Sequence, residues 1–160
     1  MTVTLRPATP DDAPFLLAVY ASTREEELAL AVGWPDEQKA AFVAAQFQAQ
    51  DAYYREHYTD ATYEVVLVDG EPAGRRYVAR WADEIRVMDI ALLPAYRGGG
   101  VGTALLRELV DEAVAAGKKL SIHVEKMNRA RELYERLGFV EAADKGVYVL
   151  LERLPEPVSS

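Results

Sequence analysis

Hydrophobic positions change their period several times along this chain, and each change marks an element. Val3 to Arg6 reads as a short strand. Thr9-Pro10-Asp11-Asp12 then reads as a helix start, with Thr9 as N-cap, Pro10 at the first helical position and acidic residues in the first turn. Ala13, Leu16, Leu17 and Tyr20 recur at helical spacing and predict one apolar face. Between Thr23 and Gly33 the pattern predicts a helical continuation that breaks near Gly33. Pro35-Asp36-Glu37 opens a second long helix, carried by Ala40, Val43, Ala44 and Phe47 to about Arg55.

From Thr62 the period shortens to that of strands. Tyr63 to Val68 and Ala73 to Ala82 form a hairpin around Asp69-Gly70, and Ile85 to Leu93 is a further apolar strand. Val101, Leu105, Leu106, Leu109, Val110 and Ala113 form a broad helical stripe that ends before Gly117. Lys119 to Glu125 is another strand, and Arg129 to Leu137 a short helix stopped by Gly138. Phe139 to Ala143 and Gly146 to Glu152 make a closing pair of strands. The order predicts an α+β fold: a mixed, mostly antiparallel sheet flanked by helices, with a right-handed parallel crossover at its centre. One domain over residues 1–154 is expected, followed by a polar tail at 155–160 that frays.

The most distinctive stretch is Leu92 to Leu106, where an apolar run ends at Pro94 and four glycines fall within Gly98–Gly102 just before a helix. Glycine permits close backbone approach and the first helical turn presents N–H groups, so the stretch suits a phosphate, with Arg97 adding charge. Glycines between strand and helix also serve merely to turn the chain, and both uses stand at this point. A Gly-Lys-Ser/Thr ending is missing, which excludes a nucleoside-triphosphate P-loop, and the position is too late for an opening dinucleotide-binding unit.

Charge narrows the partners. Lys plus Arg number 18 against 26 Asp plus Glu, a formal charge of -8, which disfavours nucleic acid and is compatible with an amine-bearing substrate. Without cysteine there is no disulfide, thiolate ligand or cysteine nucleophile, and His57 and His123 are too few for a metal cluster, so no metal is expected. No signal-peptide pattern or membrane-crossing run is seen, and a cytoplasmic protein without membrane contact is the expectation. The oligomeric state is open, a homodimer among the options.

Two segments together resemble the GCN5-related N-acetyltransferase superfamily. Its pyrophosphate pattern is Arg or Gln, two residues, Gly, one residue, Gly or Ala, which Arg97-Gly98-Gly99-Gly100-Val101-Gly102 fits completely. Asn128 to Phe139 is similar to that superfamily's asparagine, helical tyrosine and Leu-Gly-Phe ending, and the likeness in element order spans roughly Val3 to Leu154. The resemblance implies acetyl-CoA lying between two parallel strands that splay apart, with Ile90 and Leu92 making backbone contacts to the pantetheine arm. It further implies that amides around Arg97, Gly98, Gly99, Gly100 and Gly102 receive the pyrophosphate, with Thr103 adding a hydroxyl. Asn128 matches a cofactor contact and equally suits a helix cap. Tyr134 matches a tyrosine near the cofactor sulfur that protonates the departing thiolate, while its place on the stripe of Ala130, Leu133 and Leu137 equally suits core packing.

The implied reaction is direct acetyl transfer to a primary amine of a small molecule or peptide, with an oxyanion donor near the Leu92 amide. Asp89 is the nominated base, although a structural ion pair is an equal account of it. Glu125 and Glu26 are held in reserve, and His123 between Ile122 and Val124 suits a structural role. Glu25, Glu26 and Glu27 are either a solvated face or an acidic lip, and Trp34, Tyr53, Tyr54 and Tyr58 either an aromatic wall or helix-end packing. Two alternatives keep the fold: an acyl-CoA-binding regulatory or interaction protein without turnover, and a transferase for a longer acyl group.

Overall fold

The computed structural model describes residues 1–126 and 130–155. Its strands are β1 (Val3–Pro7), β2 (Thr62–Val68), β3 (Glu71–Arg80), β4 (Glu84–Leu92), β5 (Lys119–Glu125), β6 (Val140–Asp144) and β7 (Tyr148–Arg153). Its helices are α1 (Ala13–Ser22), α2 (Glu25–Ala29), α3 (Asp36–His57), α4 (Val101–Ala116) and α5 (Arg131–Arg136). The strands form one sheet in the order β1-β2-β3-β4-β5-β7-β6. Pairs β1–β2, β5–β7 and β6–β7 are antiparallel and β4–β5 is parallel, as the sequence pattern predicted. Internal contacts divide the chain into two units, Met1–Arg76 with Ile90–Arg97 and Tyr77–Asp89 with Gly98–Ser160.

In the first unit, the predicted helix start is a 3-10 turn over Pro10–Asp12, and the α-helix begins only at Ala13. Asp12 closes that turn: its carboxylate accepts the Thr9 N–H at 2.8 Å and both ends of the Arg6 guanidinium at 2.7 and 2.8 Å. Those donors hold its carboxyl far below the usual range. α1 buries Leu16 and Tyr20 of the expected face together with Val19, whereas Ala13 is exposed and Leu17 half-buried. The helix does not continue through Arg24. The Ser22 and Thr23 hydroxyls turn back onto the Val19 and Tyr20 carbonyls at 2.7 and 2.6 Å, and the chain breaks before the short α2. Gly33, at φ +92, makes the predicted turn before α3.

α3 runs the predicted length, but only Val43 within it is buried. Phe47 meets the Tyr20 ring at 5.8 Å. Between β2 and β3, Asp69 and Gly70 both have positive φ, 50 and 83, which is the mirror-image hairpin turn that an Asp-Gly step favours.

In the second unit, α4 buries Val101, Leu105, Leu106, Leu109 and Ala113 and packs against β5. Each large apolar side chain so buried contributes about 1.5–3 kcal/mol. Gly117, at φ +67, ends the helix where predicted. The β4–β5 ladder runs from Glu84↔Lys119 to Val87↔Ile122, so it engages the first half of β4. Glu84 pins this end of the pair: the fully buried Ser121 hydroxyl donates to its carboxylate, Arg86 reaches it at 2.9 Å and Lys119 at 3.5 Å. Burial alone would raise the Glu84 carboxyl, but these donors outweigh burial and hold it below its ordinary value. α5 is shorter than the predicted span, and Gly138 at φ +97 stops it. The closing strands begin one and two residues later than predicted, at Val140 and Tyr148.

Candidate active site

The end of β4 is fixed from below by glycine. A Cβ on Gly74 would collide with the Ala91 carbonyl oxygen and stand 2.9 Å from Leu92 Cδ2 and 3.0 Å from Leu92 Cα. Only a residue without a side chain lets β3 lie this close to β4. The Leu93 N–H then donates to the Ala73 carbonyl at 2.8 Å, which fastens the strand just before the chain turns.

After Leu93 a 3-10 turn over Pro94–Tyr96 leads to Arg97, whose N–H donates to the Pro94 carbonyl at 3.2 Å. The Arg97 side chain folds back. Its Nε donates to the Leu92 carbonyl at 2.9 Å, and an Nη lies 3.2 Å from Ser22 Oγ and 3.4 Å from the Ser22 carbonyl. Its charge thus braces the strand end and the end of α1, a use that the sequence pattern did not suggest.

Gly98 and Gly100 take φ of +78 and +89, conformations that favour glycine. Gly99 differs. It has no positive φ, and a Cβ on it would meet nothing within 4 Å, so internal packing does not require glycine there. Gly100 is the N-cap of α4, and its carbonyl accepts the Ala104 N–H at 3.0 Å. The N–H groups of Val101, Gly102 and Thr103 belong to the first turn, where a helix has no intrahelical acceptors. The exposed glycines therefore directly precede the positive dipole end of a 16-residue helix.

Two further nominated residues, Tyr134 and Asp89, belong to the second unit. Burial raises the Tyr134 phenol above its ordinary value, and the negative charge of nearby Asp89 raises it further. The Tyr134 ring packs edge-on against the buried Phe139 at 5.8 Å, so the residue has a packing role. A phenol in that setting keeps its proton through neutral pH and can donate it. Asn128 lies outside the described residues.

Glu26 sits on α2, all three glutamates of that turn are exposed, and Glu27 pairs with Arg24 at 3.3 Å. Glu125 is exposed on β5 opposite Tyr148. His123 lies on β5 opposite Leu150, and partial desolvation of its ring, with the positive charges of Arg86 and Lys145, lowers its pKa. The aromatics at the end of α3 contact one another: His57 stacks on Tyr53 at 4.1 Å and Tyr54 meets Tyr58 edge-on at 6.1 Å. Trp34 packs edge-on against Phe42 at 5.6 Å.

Sequence reasoning missed Ser22, Gly74 and the buried pair Arg75 and Arg76. Arg75 reaches Gln50 at 2.9 Å beside the Tyr20 ring, and Arg76 pairs with Glu64 at 3.3 Å. A glycine inside an otherwise regular strand was the one available signal, for Gly74. Among the described residues, no group of His, Cys, Asp or Glu is placed to hold a metal ion. No described helix is long and apolar enough to cross a membrane.

Known proteins share this fold. The family model described as the Acetyltransferase (GNAT) family matches residues 20–139. A ribosomal protein bS18-alanine N-acetyltransferase of Haemophilus influenzae is 42% identical over 60 residues, which are 37% of this chain and 41% of that relative. The matched part is thus about two fifths of the length of the curated relative. The crystal structure of the PaiA N-acetyltransferase from Thermoplasma acidophilum, in complex with coenzyme A, has a TM-score of 0.70 at 16% identity, covering 96% of this chain and 99% of that one. An acetyltransferase structure from Thermus thermophilus gives 0.69 at 20% identity, covering 96% and 97%. At those identities the structures share the fold, and the family model carries the assignment. From the glycine loop that follows β4 to the Leu-Gly-Phe ending after α5, both family segments lie inside the matched residues, and the chain belongs to the GNAT family of acetyltransferases.

Proposed function

We propose that the protein is an N-acetyltransferase that uses acetyl-CoA to acetylate a primary amine of a small molecule or peptide. The observation that carries this is the loop before α4. Gly98 and Gly100 are in left-handed conformations, and Gly99 has open space on its side-chain side with no internal need to be glycine. Such a surface suits the close approach of a pyrophosphate to backbone amides at a helix start. The residues fit the group: the Gly98, Gly99 and Gly100 amides, with those of Gly102 and Thr103 in the first helical turn, would hold the pyrophosphate, Thr103 adding its hydroxyl. Backbone groups of Ile90 and Leu92 would hold the pantetheine arm. Arg97 serves by bracing the loop rather than by an outward charge.

Acetyl-CoA supplies, when bound, an acetyl group activated as a thioester. Tyr134 holds a proton on a phenol whose raised pKa keeps it in place at neutral pH, ready for a departing thiolate. Asp89, whose charge acts on that phenol, would take the proton of the incoming amine directly or through water. Asn128 would add a side-chain contact to the cofactor.

The test is calorimetric titration of the folded protein with acetyl-CoA, followed by thiol release across an amine panel. Binding and release are expected. Binding without release from any amine would favour a regulatory acyl-CoA-binding protein, and faster release from a longer acyl-CoA a different acyl donor.

A further inference from the structure

Building on the assignment of acetyl-CoA to this loop, we propose that Ser22, at the last turn of α1, is a positioning residue for the cofactor loop, acting through Arg97. The side chain of Ser22 is buried, and its single hydroxyl proton is committed to the Val19 carbonyl at 2.7 Å. Its oxygen lone pairs are therefore what it presents to the Arg97 Nη at 3.2 Å. The Ser22 carbonyl, one of the last four of α1 and so without an intrahelical donor, lies 3.4 Å from the same Nη. The negative end of the α1 dipole favours a cation at this point.

The guanidinium thus has three acceptors on two segments: the Leu92 carbonyl at 2.9 Å and two oxygens of Ser22, which lies 75 residues before Arg97 in sequence. Arg97 immediately precedes Gly98, whose left-handed backbone is intrinsically permissive. Glycines 98 to 100 contribute no side chains to hold the loop, so the clamp on Arg97 sets where it starts. Loss of the Ser22 hydroxyl leaves the guanidinium two acceptors and a wider range of orientations. The loop amides then sample more positions, and a preorganised anion site becomes a looser one.

The experiment is a double-mutant cycle read by calorimetric titration with acetyl-CoA, which needs no knowledge of the acceptor. Ser22→Ala is expected to weaken acetyl-CoA binding by about three- to tenfold, the net scale of one ordinary hydrogen bond acting on the site through Arg97. Ser22→Thr, which keeps the hydroxyl, restores binding toward the original value. In an Arg97→Lys background, where the fork is gone, Ser22→Ala adds nothing further. A purely structural Ser22 would instead give additive losses in both backgrounds and a matching fall in thermal midpoint, and that pattern overturns the proposal, as does unchanged affinity in folded Ser22→Ala. Should Ser22→Ala fail to fold, Arg97→Lys, altered at an exposed position, decides: unchanged affinity there removes the clamp. Failure of the unsubstituted protein to bind acetyl-CoA is a separate result and overturns the assignment of the loop itself.

Discussion

Replacing Gly74 by alanine adds one methyl group at the place where β3 lies closest to β4. The new Cβ would overlap the Ala91 carbonyl oxygen and stand 2.9 Å from Leu92 Cδ2 and 3.0 Å from Leu92 Cα. Favourable carbon–carbon contacts need about 3.5–4.0 Å, so the neighbours must retreat by about 0.5–1 Å. Leu92 Cδ2 can swing aside, but Ala91 O and Leu92 Cα are backbone and move only with the strand. Overpacking of this kind costs about 1–3 kcal/mol, and the adjacent Leu93-to-Ala73 bond at 2.8 Å adds about 1 kcal/mol if it is lost. Urea unfolding followed by circular dichroism should show a midpoint lower by about 1–2 M, given slopes of about 1–3 kcal/mol per molar. The same displacement moves Ile90 and Leu92, proposed to hold the pantetheine arm, so acetyl-CoA affinity should fall by at least about tenfold in the protein that remains folded. An unchanged midpoint together with unchanged affinity would refute the claim that Gly74 fixes the strand end.

The contrasting substitution, Gly99→Ala, meets no neighbour and no positive φ, so stability should stay within about 0.5 kcal/mol while acetyl-CoA affinity drops; calorimetry paired with thermal melting checks both. Tyr134→Phe keeps the ring against Phe139 and removes only the hydroxyl, so cofactor binding should persist while turnover falls by about 100-fold or more; undiminished turnover at saturation would assign Tyr134 to packing alone. Ser121→Ala deprives Glu84 of a buried donor and should cost about 1–3 kcal/mol at neutral pH. Because the folded Glu84 carboxyl is held below its ordinary value, its contribution is full above about pH 4.3 and fades as pH falls further, so the cost of Ser121→Ala should shrink on acidification. A cost independent of pH in denaturation curves would contradict that linkage.

What the sequence made legible was what local chemistry dictates. The Asp69-Gly70 turn, the stripe from Val101 to Ala113, the stop at Gly117 and β5 all emerged where periodicity and turn residues agreed. The break after α1 was not legible, because it depends on hydroxyls at Ser22 and Thr23 choosing carbonyls over solvent, and their types fit a continuing helix almost as well. Of the α1 face, Leu16 and Tyr20 were legible and the exposure of Ala13 was not: a 3-10 turn closed by Asp12 precedes the helix, which puts Ala13 at its first residue. At the site, the glycine turn before α4 was legible from spacing, and the roles proposed for its amides and for Tyr134 come from the resemblance. The folded-back Arg97 and the role of Gly74 were not, since both follow from distant residues that only the fold brings near.

The measurement that tests the account most directly is calorimetric titration of the protein with acetyl-CoA up to about 1 mM, the upper end of ordinary KM values, coupled to detection of released thiol with a panel of primary amines. The account predicts saturable binding at one site per chain, weakened by Gly99→Ala, and thiol release that depends on an added amine. No saturable binding by the folded protein over that range would contradict it.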